Sequence, residues 1–263
     1  LYLAGLALNL SGRVRIYIPS NTFIATYFGL HRAYPNATYI SIDCKDDYLL
    51  DLKLLKETIK RDFLEFDNCI VVPVHLYGKA VDTNLIRDII PDNLYIIEDC
   101  SQAHGAAYDS SDCKVGYYGD ISVFSLYPGK NLGGVGDGGI LVTENANYID
   151  RVKAARNVGM TEKYKHEYYG GNYRMDSLNA IVLDEKLKHL DKWTKRRQQI
   201  ALKYVNGIKN SKIIIPNIQH IHKHAFHIFC LRVSNRALFI DYMQNNMPFI
   251  LNLDGIFILL LNH

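Results

Sequence analysis

A lysine on a short, glycine-flanked turn and an acidic pair closing an apolar run are the residues of this chain best suited to chemistry. Lys130 lies in Phe124-Ser125-Leu126-Tyr127-Pro128-Gly129-Lys130-Asn131-Leu132-Gly133, and Glu98-Asp99 follows Leu94-Tyr95-Ile96-Ile97. An amine held on a tight turn just after a strand sheds part of its water, and dehydration lowers its pKa toward the neutral, nucleophilic form. A carboxylate at the end of a neighbouring strand can face the same pocket. One amine nucleophile and one fixed anion are what pyridoxal 5′-phosphate (PLP) requires: a Schiff-base lysine and a partner for the ring nitrogen. Each group also has a plainer reading. A lysine on a turn is ordinarily only solvated, and Glu98-Asp99 can open a helix with Asp99 or Ser101 as N-cap.

Competing glycine motifs fail on context. Gly134, Gly136 and Gly139 fit G-x-G-x-x-G in form, but the strand-like Ile140-Leu141-Val142-Thr143 follows them where a dinucleotide site needs a helix. Gly129-Lys130 is not a phosphate-binding P-loop, because Asn131 stands where Ser or Thr is required and Phe124 where glycine is required.

The elements that must position Lys130 and Asp99 are legible as alternating patterns. Apolar runs at 14–19, 38–42, 69–74, 94–97, 121–125 and 139–143 read as strands, and amphipathic stretches at 22–33, 51–63, 84–90 and 147–158 read as helices. That alternation predicts an α/β domain with a mostly parallel sheet between helices. The strand at 139–143 follows Lys130 by only a glycine-rich turn, which predicts an antiparallel partner for the strand at 121–125. From Asp176 a long helix is predicted. Leu178, Ile181, Val182, Leu187, Leu190, Trp193, Ile200 and Tyr204 recur at helical spacing, and Lys192, Lys195, Arg196 and Gln199 form a solvated face. A change of domain falls near residue 190, with two further strands at 213–215 and 226–233.

The bulk properties narrow the class. A chain of 263 residues with 48% hydrophobic content has enough apolar surface for a sizeable core. The net charge of +3 carries no like-charge block longer than Lys195-Arg196-Arg197, which leaves nucleic-acid binding without support. The five cysteines, Cys44, Cys69, Cys100, Cys113 and Cys230, are odd in number and lack ligand spacing, so they read as reduced thiols of a cytoplasmic protein and not as a zinc site. No signal segment opens the sequence. The apolar stretch at 248–261 is short and interrupted by Asn252 and Asp254, which is too little for a transmembrane helix.

Five ordered motifs together resemble one family. They are Ile18-Pro19-Ser20-Asn21-Thr22-Phe23-Ile24-Ala25-Thr26, Pro73-Val74-His75-Leu76-Tyr77-Gly78, Glu98-Asp99-Cys100-Ser101-Gln102-Ala103-His104-Gly105-Ala106, the Lys130 run through Gly139, and Asn172-Tyr173-Arg174-Met175-Asp176. Over residues 1–235 they are similar to the DegT/DnrJ/EryC1/StrS family of PLP-dependent nucleotide-sugar aminotransferases. The resemblance implies the aspartate aminotransferase-type fold (PLP-dependent transferase fold type I). It also implies a PLP-binding large domain at 1–190 and a partial small C-terminal α+β domain at 191–263, atypical from about 248. It makes Lys130 the Schiff-base lysine and Asp99 the carboxylate on the ring nitrogen. Gln102 then sits beside the cofactor's 3′ oxygen, Phe23 supplies the stacking ring, and Ser125 contacts the phosphate. Asn172 reaches the phosphate of the neighbouring subunit, which implies a homodimer with shared active sites.

The physics suits those roles. Opposite unit charges at 4 Å attract by about 4 kcal/mol at an effective dielectric near 20, which raises a ring-nitrogen pKa by up to about three units. The Lys130 run with Gly136-Asp137-Gly138-Gly139 resembles members that act at carbon 3 of the sugar. That implies a dTDP-3-keto-6-deoxyhexose acceptor and L-glutamate as donor. Lys130 argues against relatives that carry histidine there and dehydrate the sugar. Two departures are expected: the family's phosphate-binding turn lies before the helix that begins at Leu1, and the sugar-site segment after Met247 does not match. The alternatives are an inactive truncated fragment and a PLP-binding sensor or dimerisation remnant without turnover.

Overall fold

The computed structural model describes residues 1–62, 66–88, 94–217, 219–246 and 257–262. Its centre is a six-stranded sheet built from β1 (Val14–Pro19), β2 (Thr38–Ile42), β3 (Asn68–Val71), β4 (Leu94–Asp99), β5 (Ile121–Ser125) and β6 (Gly139–Val142), in the order β2-β1-β3-β4-β5-β6. The pairs among β1 to β5 are parallel, and β6 runs antiparallel to β5 with Phe124 opposite Ile140. The sequence expectation of a mostly parallel sheet ending in one antiparallel pair therefore holds.

Helices cover both faces, which is why every residue of β1 is buried and the strand reads as an unbroken apolar run. On one face Ile16, Ile18, Ile97 and Ile121 pack with α1 (Tyr2–Leu8) and α2 (Ala25–Ala33) through Ala4, Ala7, Leu8 and Leu30. On the other, Tyr17, Val71 and Ile96 pack with α3 (Leu52–Asp62) and α4 (Thr83–Arg87) through Leu55, Ile59 and Ile86. Local signals set several boundaries. The Asp51 carboxylate accepts from the amides of Lys53 and Leu54 to open α3, and Asn145 does the same for α5 (Ala146–Ala155) through Asn147. Of the sequence-predicted helices, those at 51–63 and 84–90 run in part past the described residues. The helix expected from 22 begins at Ala25, and the one expected to end at 158 ends at Ala155.

After α5 the strands β7 (Met160–Glu162) and β8 (Lys165–His166) form a small hairpin. The expected long helix after Asp176 is two helices, α6 (Ser177–Leu187) and α7 (Leu190–Gly207). The break at Lys188 and His189 has neither proline nor glycine to announce it, and it lets Leu183 and Leu190 both close on Leu126 and Leu132. The burial of α6 also differs from the apolar pattern: Asn179 and Leu183 are inside, whereas Leu178 and Ile181 are 73% and 66% exposed. The physical reason is polar. Asn179 accepts from the Val135 amide and donates to the carbonyls of Gly136 and Asp137, so its amide braces the glycine turn that follows Lys130.

A second sheet contains β9 (Ile213–Ile214), β10 (Ile228–Val233) and β11 (Phe257–Asn262), with β10 central. Its hydrophobic cluster joins Phe226, Phe229 and Leu231 to Ala201 and Tyr204 of α7 and to Phe239 of α8 (Arg236–Asn246). The irregular tail expected from about 248 lies outside the described residues up to 256. Beyond that, β11 pairs in parallel with β10 although its sequence shows no clean strand alternation.

The two sheets meet at the turn of residues 75–78. Gly78 has φ +99°, and a Cβ there would lie 2.8 Å from the Phe226 amide nitrogen and 2.9 Å from that of His227. Gly78→Ala is therefore expected to destabilise the protein by about 2 kcal/mol or more, measured by urea unfolding. A loss below about 0.5 kcal/mol would show that the turn adjusts freely.

Candidate active site

Asp99 ends β4 at the carboxyl edge of the parallel strands, where ligands of α/β sheets bind. Its side chain is only 5% exposed. Oδ2 accepts from the Thr26 hydroxyl at 3.0 Å and Oδ1 from the Ser101 amide at 3.1 Å. Thr26 is itself buried in the first turn of α2, and its hydroxyl lies 2.8 Å from that of Thr22. Two donors leave the carboxylate with further accepting capacity.

Lys130 sits on a turn closed by its amide donating to the Tyr127 carbonyl at 2.9 Å. The turn is glycine-dependent, because a Cβ at Gly133 would collide with the Pro128 carbonyl. The ammonium of Lys186 donates to the Gly133 carbonyl. Asn131 fastens the next residue: its Nδ2 donates to the Ala225 carbonyl at 2.9 Å, and its Oδ1 lies 3.1 Å from Nδ1 of His227. Burial lowers the Lys130 pKa, and the negative charge of Asp99 partly opposes that shift. The two groups singled out from sequence thus share one electrostatic environment.

Gln102 is fixed by a hydrogen bond whose direction is unambiguous. The Tyr77 amide donates to Oε1 at 2.7 Å, and a backbone N–H can only donate, so the amide NH2 of Gln102 is the end left to face a ligand. Ser125 ends β5, and its Oγ accepts from the Tyr127 amide at 3.3 Å, which leaves the hydroxyl proton to donate. Phe23 is 70% exposed just before α2, with its carbonyl accepting from the Thr26 amide. Asn172 stands on the surface, bridged through its backbone to Asn157, and does not join the buried cluster of its own chain.

Two histidines border Lys130. Burial, and then the Lys130 charge, pushes His104 down to about 4, with the Ser125 backbone opposing the shift. Burial, then the charges of Lys130 and Arg197, pushes His227 down to about 3. Both imidazoles are 7% exposed or less and neutral near pH 7. Reading the sequence alone passed over Thr26, His104, His227 and Tyr77 as individual groups. Thr26, His104 and Tyr77 lie within the quoted motifs, and it is the fold that brings them to Asp99, Lys130 and Gln102.

An open cavity of about 820 Å³ lies beside this cluster, between the loop after β2 and the second sheet. Tyr77, Lys79, His224, Phe226 and Arg232 line it, whereas Asp99 and Lys130 do not. Its cations are paired: Lys79 binds Asp47 at 2.9 Å, and Arg232 binds Asp46 at 3.3 Å.

Comparison with known proteins fits this geometry. The chain belongs to the DegT/DnrJ/EryC1/StrS aminotransferase family, whose model matches residues 1–250. It is 36% identical over 250 residues to the erythromycin biosynthesis sensory transduction protein EryC1 of Saccharopolyspora erythraea, covering 94% of this chain and 65% of that protein. It is 37% identical to the dTDP-3-amino-3,6-dideoxy-alpha-D-galactopyranose transaminase of Aneurinibacillus thermoaerophilus, covering 87% of this chain and 61% of that one. Among solved structures it superimposes on S. venezuelae DesV in complex with a ketimine intermediate with a TM-score of 0.83 at 32% identity, covering 93% of this chain and 64% of DesV. The chain thus spans less than two thirds of the length of these relatives. The fold is that of the PLP-dependent sugar aminotransferases.

The buried imidazoles give the fold an acid-side instability. A histidine whose folded pKa lies below its ordinary 6.5 takes up more protons unfolded than folded, so the stability it contributes is complete above pH 6.5 and is lost as pH falls toward the folded value. His104 and His227, at about 4 and about 3, set that window. Unfolding at pH 5 is expected to show a loss on the order of 2 kcal/mol per histidine relative to pH 7.5. Equal urea midpoints at the two pH values would contradict it.

Proposed function

We propose that this chain carries the catalytic centre of a PLP-dependent aminotransferase that moves an amino group from L-glutamate to a keto-sugar nucleotide. The observation that carries the reading is the shared environment of Lys130 and Asp99: a half-buried amine on a glycine turn, opposed by a buried carboxylate that still has room to accept. The residues fit the cofactor. Asp99 would take the ring N–H, the Gln102 NH2 would donate to the 3′ oxygen, the Ser125 hydroxyl would donate to the phosphate, and the exposed Phe23 ring is available to stack. When bound, PLP supplies an electron sink for the carbon next to the transferred nitrogen.

The rest of the chemistry falls to side chains of the protein. Burial favours the neutral form of Lys130, which is the form that attacks a carbonyl and that accepts a proton at Nζ. Held by its turn, the same amine would take up and return a proton at Nζ. Asp99, gripped by Thr26 and Ser101, would present its carboxylate to the ring nitrogen without reorganising. Neutral His104 and His227 add no positive charge beside Lys130.

The acceptor is proposed to be a dTDP-linked 3-keto-6-deoxyhexose. The Aneurinibacillus relative is named for a transaminase of a dTDP-3-amino sugar, and the run around Lys130 resembles members acting at carbon 3. A homodimer is proposed as the working form, with Asn172 reaching the neighbouring subunit. Large apolar side chains support this: Phe23, Phe28, Val135, Leu178 and Ile181 are each at least 59% exposed in the single chain.

Addition of PLP is expected to produce a visible absorption band, and borohydride reduction is expected to leave the label on Lys130. Lys130→Ala should abolish the label and lower amino transfer from glutamate by about 10²-fold or more. Undiminished transfer by that variant would overturn the proposal. A band without any transfer to a panel of keto-sugar nucleotides would reduce the reading to cofactor binding alone.

A further inference from the structure

The buried side chains of His75 and Glu98 stand behind the proposed site and form no hydrogen bond with the side chains that would meet a ligand. Both side chains are fully buried. Glu98 precedes Asp99 on β4, so its side chain points to the opposite face of the sheet. There it gathers five donors. Oε2 accepts from His75 Nε2 at 2.8 Å, Thr83 Oγ1 at 2.9 Å and the Tyr108 hydroxyl at 2.5 Å. Oε1 accepts from the Gly119 amide at 2.5 Å and the Ser122 hydroxyl at 3.4 Å. Burial alone would raise the Glu98 pKa, but hydrogen bonds from His75, Tyr108 and Thr83 hold it below the usual carboxylate range.

The tautomer of His75 follows from its neighbours. The Val81 amide donates to Nδ1 at 3.0 Å, so Nδ1 is the acceptor and Nε2 carries the proton given to Glu98. His75, Glu98 and Cys100 offer ligand atoms within 4.8 Å of one another, but both ring nitrogens of His75 are already committed to protein partners. The cluster is therefore a clamp and not a metal site.

What the clamp holds is the strand extension and turn that carry the site. The His75 amide donates to the Asp99 carbonyl at 3.0 Å, and the Asp99 amide donates to the Pro73 carbonyl at 2.9 Å. Two residues on, Tyr77 sits at φ 59° and ψ 2°, a left-handed conformation that a non-glycine residue adopts only when its surroundings enforce it. The Tyr77 amide is the donor that fixes Oε1 of Gln102. We propose that Glu98 and His75 are positioning residues: by anchoring the turn of residues 75–78 they orient the Gln102 amide toward the cofactor and hold Asp99 in line with the ring nitrogen. The inference rests on the PLP reading above.

The test separates positioning from simple stabilisation by removing two different donors from the same Glu98 oxygen. His75→Asn retains an acceptor for the Val81 amide but does not reach Glu98. Thr83→Val removes an equally buried donor that is not part of the turn. In the PLP-loaded protein the readout is the pH midpoint of the visible band. A donor aimed at the 3′ oxygen favours the deprotonated form, so its loss raises the midpoint. His75→Asn is expected to raise it by about one pH unit, the size of one lost hydrogen bond, as Gln102→Ala does. The two changes are expected not to add in the double variant. Thr83→Val is expected to lower thermal stability and leave the midpoint in place.

In the unloaded protein, hydrogen exchange across residues 74–80 is expected to be about tenfold faster in His75→Asn, and not in Thr83→Val. If His75→Asn does not fold, Glu98→Asp, which retains the charge but withdraws it by one methylene, is read by the same two measurements. A midpoint and exchange rate that do not move in the folded variant would overturn the positioning role while leaving the PLP reading intact. A wild-type chain that gives no band with PLP would overturn that reading and this inference with it.

Discussion

Side chains alternate between the faces of a strand, and at the end of β4 this alternation sends two adjacent carboxylates to opposite fates. Glu98 enters the face packed by α3 and α4, where five donors meet it. Asp99 enters the face packed by α2, where Thr26 and Ser101 meet it and its charge acts on Lys130. Taking a carboxylate out of water costs several kcal/mol unless hydrogen bonds and charge offset it. Glu98 is fully offset within the protein and serves architecture. Asp99 is offset only in part, which is the condition for acting on something that binds. A shift of one residue in the register of β4 would exchange the two roles, so the site depends on the pairing of β4 with β3 and β5.

Much of the architecture was legible because burial on both faces leaves continuous apolar runs. The strands at 14–19, 38–42 and 121–125 appear with the bounds their sequences suggest. The antiparallel β6 followed from the short glycine-rich connection. The region after Asp176 was less legible because the residue that decides its packing is polar. Asn179 is inside because the carbonyls of Gly136 and Asp137 and the amide of Val135 need partners, and that need displaces the apolar stripe of Leu178 and Ile181 to the surface. A hydrophobic pattern has no term for such a demand. The same stripe becomes intelligible if a second chain covers it.

The candidate site divides along the same line. Lys130 and Asp99 stood out in the sequence because residue type and local context alone make them candidates. The clamp did not, because His75 meets Glu98 only through the parallel pairing that continues past β3, where Val74 bridges to Asp99. The His75 tautomer depends on the Val81 amide, a backbone group that every sequence contains and none announces. Gln102 shows the combination. Its side chain was expected near the cofactor, but the direction of its amide is decided by Tyr77, a residue in an unfavourable backbone conformation imposed by the turn around it.

The protonation state around Lys130 follows from crowding. Lys130, His104 and His227 are three bases in one partly buried volume, and Asp99 is the anion that acts on Lys130 there. Every proton added to one of them raises the cost of adding the next, and in a low-dielectric site that cost is several times larger than in water. Burial lowers all three, but an amine starts about four units above an imidazole, so the imidazoles surrender their protons first. At neutral pH His104 and His227 are therefore uncharged, and Lys130 is the base of the cluster whose lowered pKa Asp99 partly restores. That arrangement suits the role proposed for Lys130, an amine neutral when it attacks and charged when it delivers a proton. The negative charge of Asp99 favours the charged form, and burial favours the neutral one.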